Sequence, residues 1–492
     1  MPTVWAIHAL GEDCPDFLIE VFDMKKIKNL SESSFLKLFF LFVSLCFIVA
    51  AFCMPDVKRA FDSGLYNIML LPCKVTSNYF GMGGYAATFL NMGLVGLFCC
   101  ALLYGFNAKA NNVTTLGFIL TVGFGAWGIN PVNMIPTILG VLLYALVKKE
   151  KPGALVNAMM FSTGIAPLIS DLLFRYPTTA TYTGLFYPDE RLNFLGIGLA
   201  LLVGLVIGFF LPAGLGHAPN IHKGYNHYSA AVPIGFTAYF LRVVLYKVML
   251  GMSIGDMGKL QAYSLPEAEF FMGCNIFCIA LFGLCILFAL LMGCGPKQYW
   301  QVLKEPGKGV SISEKYGNGA FLMNLGVYGL MIVGYFNLAG YLDGGVAKMS
   351  SLWTGMTFGI VFCMVCTANS GSHPGNVWPI MLGYVVTSYL FRWISGMLGV
   401  ENYALTIGSQ GILIGLCYAN GLSPIVGKYG WFWGALAAGL HYLLVTAVPD
   451  MHGGFCLYNG GFTAALICLM FVPQLEKFCK TKEERKMAKT AK

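Results

Sequence analysis

The chain has 492 residues, of which 57% are hydrophobic and 11% charged, and a formal net charge of +8. Soluble domains carry about 25% charged residues, so this chain lacks the polar surface needed to face water along its length. Its basic residues sit in short clusters beside apolar runs, which excludes a nucleic-acid-binding face and matches the lysine bias of loops on one side of a membrane.

In chain order, residues 1–34 read as a cytoplasmic N-terminal segment. Within it, Met24-Lys25-Lys26-Ile27-Lys28 resembles a translation start and leaves residues 1–23 as a candidate upstream extension. The first membrane span is expected at 35–53. It is not a cleaved signal sequence, because Phe52 stands where cleavage ahead of Cys53 would need a small residue. An interfacial segment, 54–79, leads into six apolar segments over 80–247. A linker, 248–313, holds one further span near 270–292. Six more apolar segments fill 314–476, and a basic cytoplasmic tail occupies 477–492. Together these make about fourteen segments, most of them long enough for a helix to cross hydrocarbon. Few alternate with period two, so a β-barrel is excluded. The expected fold is an all-α polytopic membrane protein. The sixteen cysteines lie largely inside the apolar runs, as Cys99, Cys100, Cys274 and Cys278 do, where cysteine acts as a small hydrophobe.

Comparison of the chain with itself shows an internal duplication. Asn91-Met-Gly-Leu-Val-Gly-Leu97 recurs as Asn324-Leu-Gly-Val-Tyr-Gly-Leu330, and Asn130-Pro-Val-Asn-Met-Ile-Pro-Thr-Ile-Leu-Gly140 as His373-Pro-Gly-Asn-Val-Trp-Pro-Ile-Met-Leu-Gly383. Gly164-Ile-Ala-Pro167 recurs as Gly421-Leu-Ser-Pro424, and His222-Lys-Gly-Tyr-Asn-His-Tyr228 as His452-Gly-Gly-Phe-Cys-Leu-Tyr458. Four matches in one order assign repeat 1 to 80–247 and repeat 2 to 314–476. Threading the chain with Lys25–Lys28 inside also puts Lys148–Lys151, Lys297–Lys308 and the tail inside. The two repeats then start on opposite sides, so their topology is inverted.

Inverted repeats point to a secondary transporter with its site where the copies meet near the midplane. Pro131 and Pro374 are expected to restart a helix after a break or re-entrant turn, since proline removes a donor but suits a first helical turn. Amides at such a restart favour an anionic or polar ligand group. The expected solute-binding residues are therefore Asn130, Asn133, His373 and Asn376, with Asn91 and Asn324 from the preceding helices. A second break is expected at Pro167 and Pro424, where Ser162, Thr163, Asn420 and Ser423 offer hydroxyl and amide groups. His222, Tyr228, His452 and Tyr458 form a glycine-rich gate or loop. The expectation is no catalytic residue, no metal and no cofactor beyond a coupling Na+ or H+, with lipid, a small solute and a second copy of the chain as partners. Two alternatives stay open: a channel for a neutral solute, and a membrane-embedded enzyme using a histidine as general base.

The doubled Asn/His-Pro-x-Asn-x-x-Pro-x-x-Leu-Gly pattern followed by His-x-Gly-aromatic resembles an uncharacterised family of bacterial polytopic membrane proteins, a domain of unknown function. The likeness spans about residues 60–475 and implies a bacterial plasma-membrane location but no substrate. The paired asparagine-proline breaks are also loosely similar to those of urea transporters, by analogy alone.

Overall fold

The computed structural model describes residues 27, 29–176, 194–252, 270–400 and 405–490. The expected extension at 1–23 and Lys25, Lys26 and Lys28 lie outside them. Helices α1 (Glu32–Phe52), α2 (Tyr85–Gly105), α3 (Asn112–Phe124), α4 (Pro131–Lys148), α5 (Val156–Ser162), α6 (Ala166–Phe174), α7 (Phe194–His222) and α8 (Ala231–Arg242) form the first half. The second comprises α9 (Phe271–Leu291), α10 (Asn318–Ser351), α11 (Gly355–Val365), α12 (Pro374–Leu398), α13 (Gln410–Ala419), α14 (Ser423–Tyr429), α15 (Trp431–Val445) and α16 (Asn459–Phe478), followed by a tail helix, α17 (Lys482–Thr490). Among the described residues nine helices are long and apolar enough to cross a bilayer, and three shorter ones are apolar.

Local sequence sets the helix boundaries. Asn111 and Thr114 form a reciprocal capping box at the start of α3, and Thr354 and Thr357 do the same for α11. Gly84 and Gly317 enter α2 and α10 at φ +93° and +89°, a left-handed conformation that favours glycine.

The copies are inverted, and contacts at the helix ends establish it. The start of α1 lies beside the start of α10, because the Asn318 amide donates to Leu30 O at 3.2 Å. At the other end α2 begins beside α9, where the rings of Tyr85 and Phe270 are 4.0 Å apart. Helix α1 packs along α2 as α9 packs along α10. The duplicated unit thus takes in more than the six segments read from the sequence. It also includes the helix ahead of each copy and the connection between, where Pro72-Cys73-Lys74 matches Pro306-Gly307-Lys308.

Between the copies α3 and α11 run antiparallel. A Cβ on Gly359 would stand 2.3 Å from Gly123 O, and one on Gly123 would stand 2.8 Å from Gly359 O. Small residues at helix crossings in membranes permit such backbone approach. A helix of 13 residues, as α3 is, rises about 20 Å, short of the ~30 Å hydrocarbon core.

Each of these short helices is one arm of a hairpin. The chain leaves α4 at Lys148, and a Cβ on Gly153 would meet Phe106 O at 2.4 Å, so α4 returns to the end where α3 began. In the second copy Gln410, after α12, donates to Thr354, just ahead of α11. The two hairpins enter from opposite ends. The basic stretches 148–151, 297–308 and 477–489 all fall at one end, called here the basic end. There the Lys223 ammonium meets Glu476 at 2.5 Å and Arg485 donates to Tyr429 O.

The turns at Pro167 and Pro424 differ from expectation. Each is a 3-10 turn, Thr163–Ile165 or Asn420–Leu422, between two short helices. The helix tightens there and does not open. Proline sits in the first turn of the next helix, where its missing N–H costs little.

Candidate functional site

The tip of each hairpin is a short non-helical stretch held by asparagines. In the first, the fully buried Asn91 of α2 donates from Nδ2 to Gly125 O at 2.7 Å and to Ile129 O at 2.9 Å. Asn130 caps α4 by accepting the N–H groups of Val132 and Asn133, and donates to Ile68 O at 3.0 Å. Asn133 accepts the Asn130 N–H and donates to Gly128 O at 3.0 Å and Ser170 Oγ at 2.9 Å.

The second tip repeats this arrangement. Asn324 donates to Ala368 O at 2.9 Å and Ser372 O at 2.8 Å. Asn376 accepts the His373 N–H at 2.9 Å and donates to Gly371 O at 2.8 Å. His373 stands in for Asn130, and its Nε2 lies 2.9 Å from Glu305 O, as the Asn130 amide faces Ile68 O. Carbonyls freed by a helix break inside a membrane must find donors, and these asparagines supply them. Their amide N–H groups are taken up by the protein's own carbonyls and by Ser170 Oγ, whereas Asn91 Oδ1 and His373 Nδ1 are buried without a partner.

The residues at the 3-10 turns are also engaged. Ser162 Oγ donates to Met159 O at 2.7 Å, and Thr163 Oγ1 to Met160 O at 2.6 Å. Asn420 donates to Met364 O at 2.8 Å and accepts from Tyr228 OH at 2.8 Å. Ser423 Oγ lies 3.1 Å from Ser372 Oγ.

The glycine-rich loops cross between copies. His227 N–H donates to Gly421 O at 3.2 Å, while Leu457 N–H donates to Gly164 O at 2.9 Å. Tyr228 lies on Gly421 and Tyr458 on Gly164, where an added Cβ would stand 2.6 Å and 2.7 Å from the rings. The two sides differ in polarity. Tyr228 OH reaches Cys363 O, Cys417 O and Asn420 Oδ1, whereas the buried Tyr458 OH has no partner. His222 Nε2 meets Ser229 Oγ at 2.9 Å, but neither ring nitrogen of the buried His452 has a partner.

Over each tip lies a lysine; of the two, the sequence pattern used only Lys308, and that only as one of an inside cluster of charges. Lys74 follows Pro72 in the connection after α1, and its ammonium is 5.3 Å from the centre of the Phe455 ring. Lys308 follows Pro306 and stands 3.9 Å from the centre of the Tyr225 ring. Phe455 and Tyr225 belong to the crossing loops, so a lysine and a loop aromatic meet over each tip. Burial, then the nearby Arg175, lowers the Lys74 pKa to about 8, with Asp171 opposing. Burial, then Lys428, lowers that of Lys308. The signal was the recurrence of Pro-x-Lys at nearly the same distance ahead of Gly84 and Gly317.

Charged neighbours complete each end. Beside Lys74, Asp171 pairs with Arg175 at 2.6 Å and accepts from Tyr246 OH, all buried. Beside Lys308, Lys428 approaches Tyr225 and Tyr429, and Lys223 pairs with Glu476. Among the described residues, Lys74 and Arg175 thus stand beside the single carboxylate of Asp171, and Lys308, Lys428 and Lys223 beside that of Glu476.

Fold and site together define a polytopic α-helical membrane protein with inverted repeats, each carrying a helical hairpin whose tip lies beneath a lysine-bearing segment. The chain belongs to the family described as Protein of unknown function (DUF1576), whose model matches residues 57–250 and again 296–477. The two matches take in the Pro-x-Lys segments, upstream of the repeat starts read from the sequence. No curated protein and no solved structure matches the chain.

Proposed function

We propose that the chain is a gradient-driven carrier of a small anionic solute. It would lie in a bacterial plasma membrane with its basic end, and so its C-terminus, in the cytoplasm by the lysine bias of inside loops. The observation that carries this reading is the pair of hairpins entering from opposite ends, each tip roofed by a lysine and by the other copy's loop. Non-helical backbone at membrane depth is tolerated where protein covers it or water and solute reach it. Inverted copies give two such places that are equivalent but face opposite sides, which is what alternating access requires.

In this reading the hairpins are re-entrant and the roofs act as gates. Withdrawing the Lys308–Tyr225 roof admits solute from the basic end, and withdrawing the Lys74–Phe455 roof releases it at the other. The helix starts at Pro131 and Pro374 add the positive ends of their dipoles. Na+ or H+ would supply the gradient.

Purified protein in proteoliposomes, tested with labelled small carboxylates and phosphate, is the direct test. Saturable uptake dependent on an imposed Na+ or pH gradient is expected, with at least tenfold loss in Lys74→Gln and Lys308→Gln. Fast, unsaturable flux of urea or another neutral solute, insensitive to both substitutions, would replace the carrier with a channel.

A further inference from the structure

At the basic end a crevice of about 490 Å3 opens between α12, α14, α15 and the tail helix α17. Its rim carries Trp378, Trp431 and Phe432, exposed by 46%, 54% and 54%. The indoles of Trp378 and Trp431 stack with centroids 6.4 Å apart. Two cations of the tail, Lys482 and Arg485, close the other side. They lie over the backbone of Gly430: a Cβ there would be 3.2 Å from Arg485 Nη2 and 3.8 Å from Lys482 Cε. Arg485 donates one hydrogen bond to Tyr429 O, which fixes the guanidinium at the opening. Among the described residues no carboxylate stands within ion-pair distance of either cation. Gly430 also begins α15, a helix of 15 residues with no side chain capping its first amides.

We infer that this crevice binds the phosphate of an anionic phospholipid from the leaflet at the basic end. Two kinds of residue meet here that a soluble ligand would not require together. Exposed tryptophan and phenylalanine rings favour the boundary between headgroups and acyl chains. The guanidinium and ammonium supply charge-assisted donors for phosphate oxygens, and the uncapped α15 terminus adds amides and a favourable dipole. Acyl chains continue past Trp378 and Trp431 into the bilayer. The site borders the Lys308 roof through Tyr429, whose ring lies 6.1 Å from that of Tyr225, but the inference does not depend on the transport reading.

The test uses the full chain reconstituted in phosphatidylcholine vesicles, with tryptophan fluorescence titrated by brominated phosphatidylglycerol or brominated phosphatidylcholine. Saturable quenching with a clear preference for phosphatidylglycerol is expected. The double variant Lys482→Gln/Arg485→Gln should lower that preference about tenfold, since each basic residue near a surface contributes several-fold. Lys486→Gln/Lys489→Gln removes the same charge from the same exposed helix, away from the crevice, and should retain it. Equal loss in both variants would reduce the effect to general tail charge and overturn the site. Displacement of brominated phosphatidylglycerol by millimolar glycerol 3-phosphate would assign the crevice to a soluble phosphate and overturn the lipid.

Discussion

Replacing Asn91 with alanine tests how much the amide reaching each hairpin tip from the preceding helix contributes to holding it. The change removes donors at 2.7 Å and 2.9 Å from Gly125 O and Ile129 O. Both carbonyls lie in a break, so no helical N–H replaces the lost amide. A buried acceptor left unsatisfied costs ~1–3 kcal/mol, which sums to about 2–6 kcal/mol for the pair. A lower bound comes from side-chain hydrogen bonds measured between membrane helices, which average about 0.6 kcal/mol each because the unfolded chain in lipid finds other partners. The higher range should hold because the tip carbonyls are fixed by the proline-started helix behind them. For a chain of this length each kcal/mol moves Tm by about 1–2 °C, since the shift falls with size. Asn91→Ala should therefore melt about 2–12 °C below wild type. Asn324→Ala should match it, because Asn324 donates to Ala368 O and Ser372 O in the same way. The double variant should be additive, the tips lying at opposite ends of α3 and α11. Thermal unfolding in detergent followed by light scattering reads all three. Melting of both single variants within about 1 °C of wild type would refute the stitching argument.

Further outcomes follow from the asymmetries between the copies. Tyr228→Phe removes the one O–H that Asn420 Oδ1, Cys363 O and Cys417 O surround and should cost ~1–3 kcal/mol, while Tyr458→Phe removes a hydroxyl without a partner and should be neutral or stabilising; equal melting shifts would contradict this. Gly421→Ala and Gly164→Ala drive a methyl into a tyrosine ring and should each cost about 1–3 kcal/mol by thermal melting. Because the Lys74 pKa is lowered to about 8, its ammonium is present below pH 8 and lost above. Anion uptake should fall as the pH at that end rises from 7 to 9, and Lys74→Arg should flatten that profile. Cysteines placed at Lys149 and Lys480 should react with an impermeant thiol reagent from the same side of the membrane, and one at Asp62 from the other; splitting the first two would break the threading.

Much of the architecture was legible before any coordinates. Charge scarcity and apolar runs gave the class, because a helix in lipid needs about twenty residues of low polarity whatever surrounds it. The duplication was visible in Asn91/Asn324, Asn130/His373 and Gly164/Gly421, since each position must solve the same backbone problem twice. Lysine bias then gave the inversion, and reciprocal contacts such as Asn318 to Leu30 O agree with it.

Other features depended on residues far apart in the chain. An asparagine after a proline reads equally as a ligand or as a strut, because the sequence does not say where its amide points. Folding places backbone carbonyls within 3.0 Å of the amides of Asn91, Asn133, Asn324 and Asn376, contacts that no local pattern announces. The crossing of the loops was equally hidden, as His227 to Gly421 and Leu457 to Gly164 are contacts between copies. So was the environment of Lys74 and Lys308, which look like ordinary loop lysines until the other repeat lays an aromatic ring beside each. Sequence periodicity and charge determine which segments enter the membrane and in what sense, since those choices depend on transfer from water. Which polar group meets which is set by packing between the two copies, and only the tertiary structure brings those groups together.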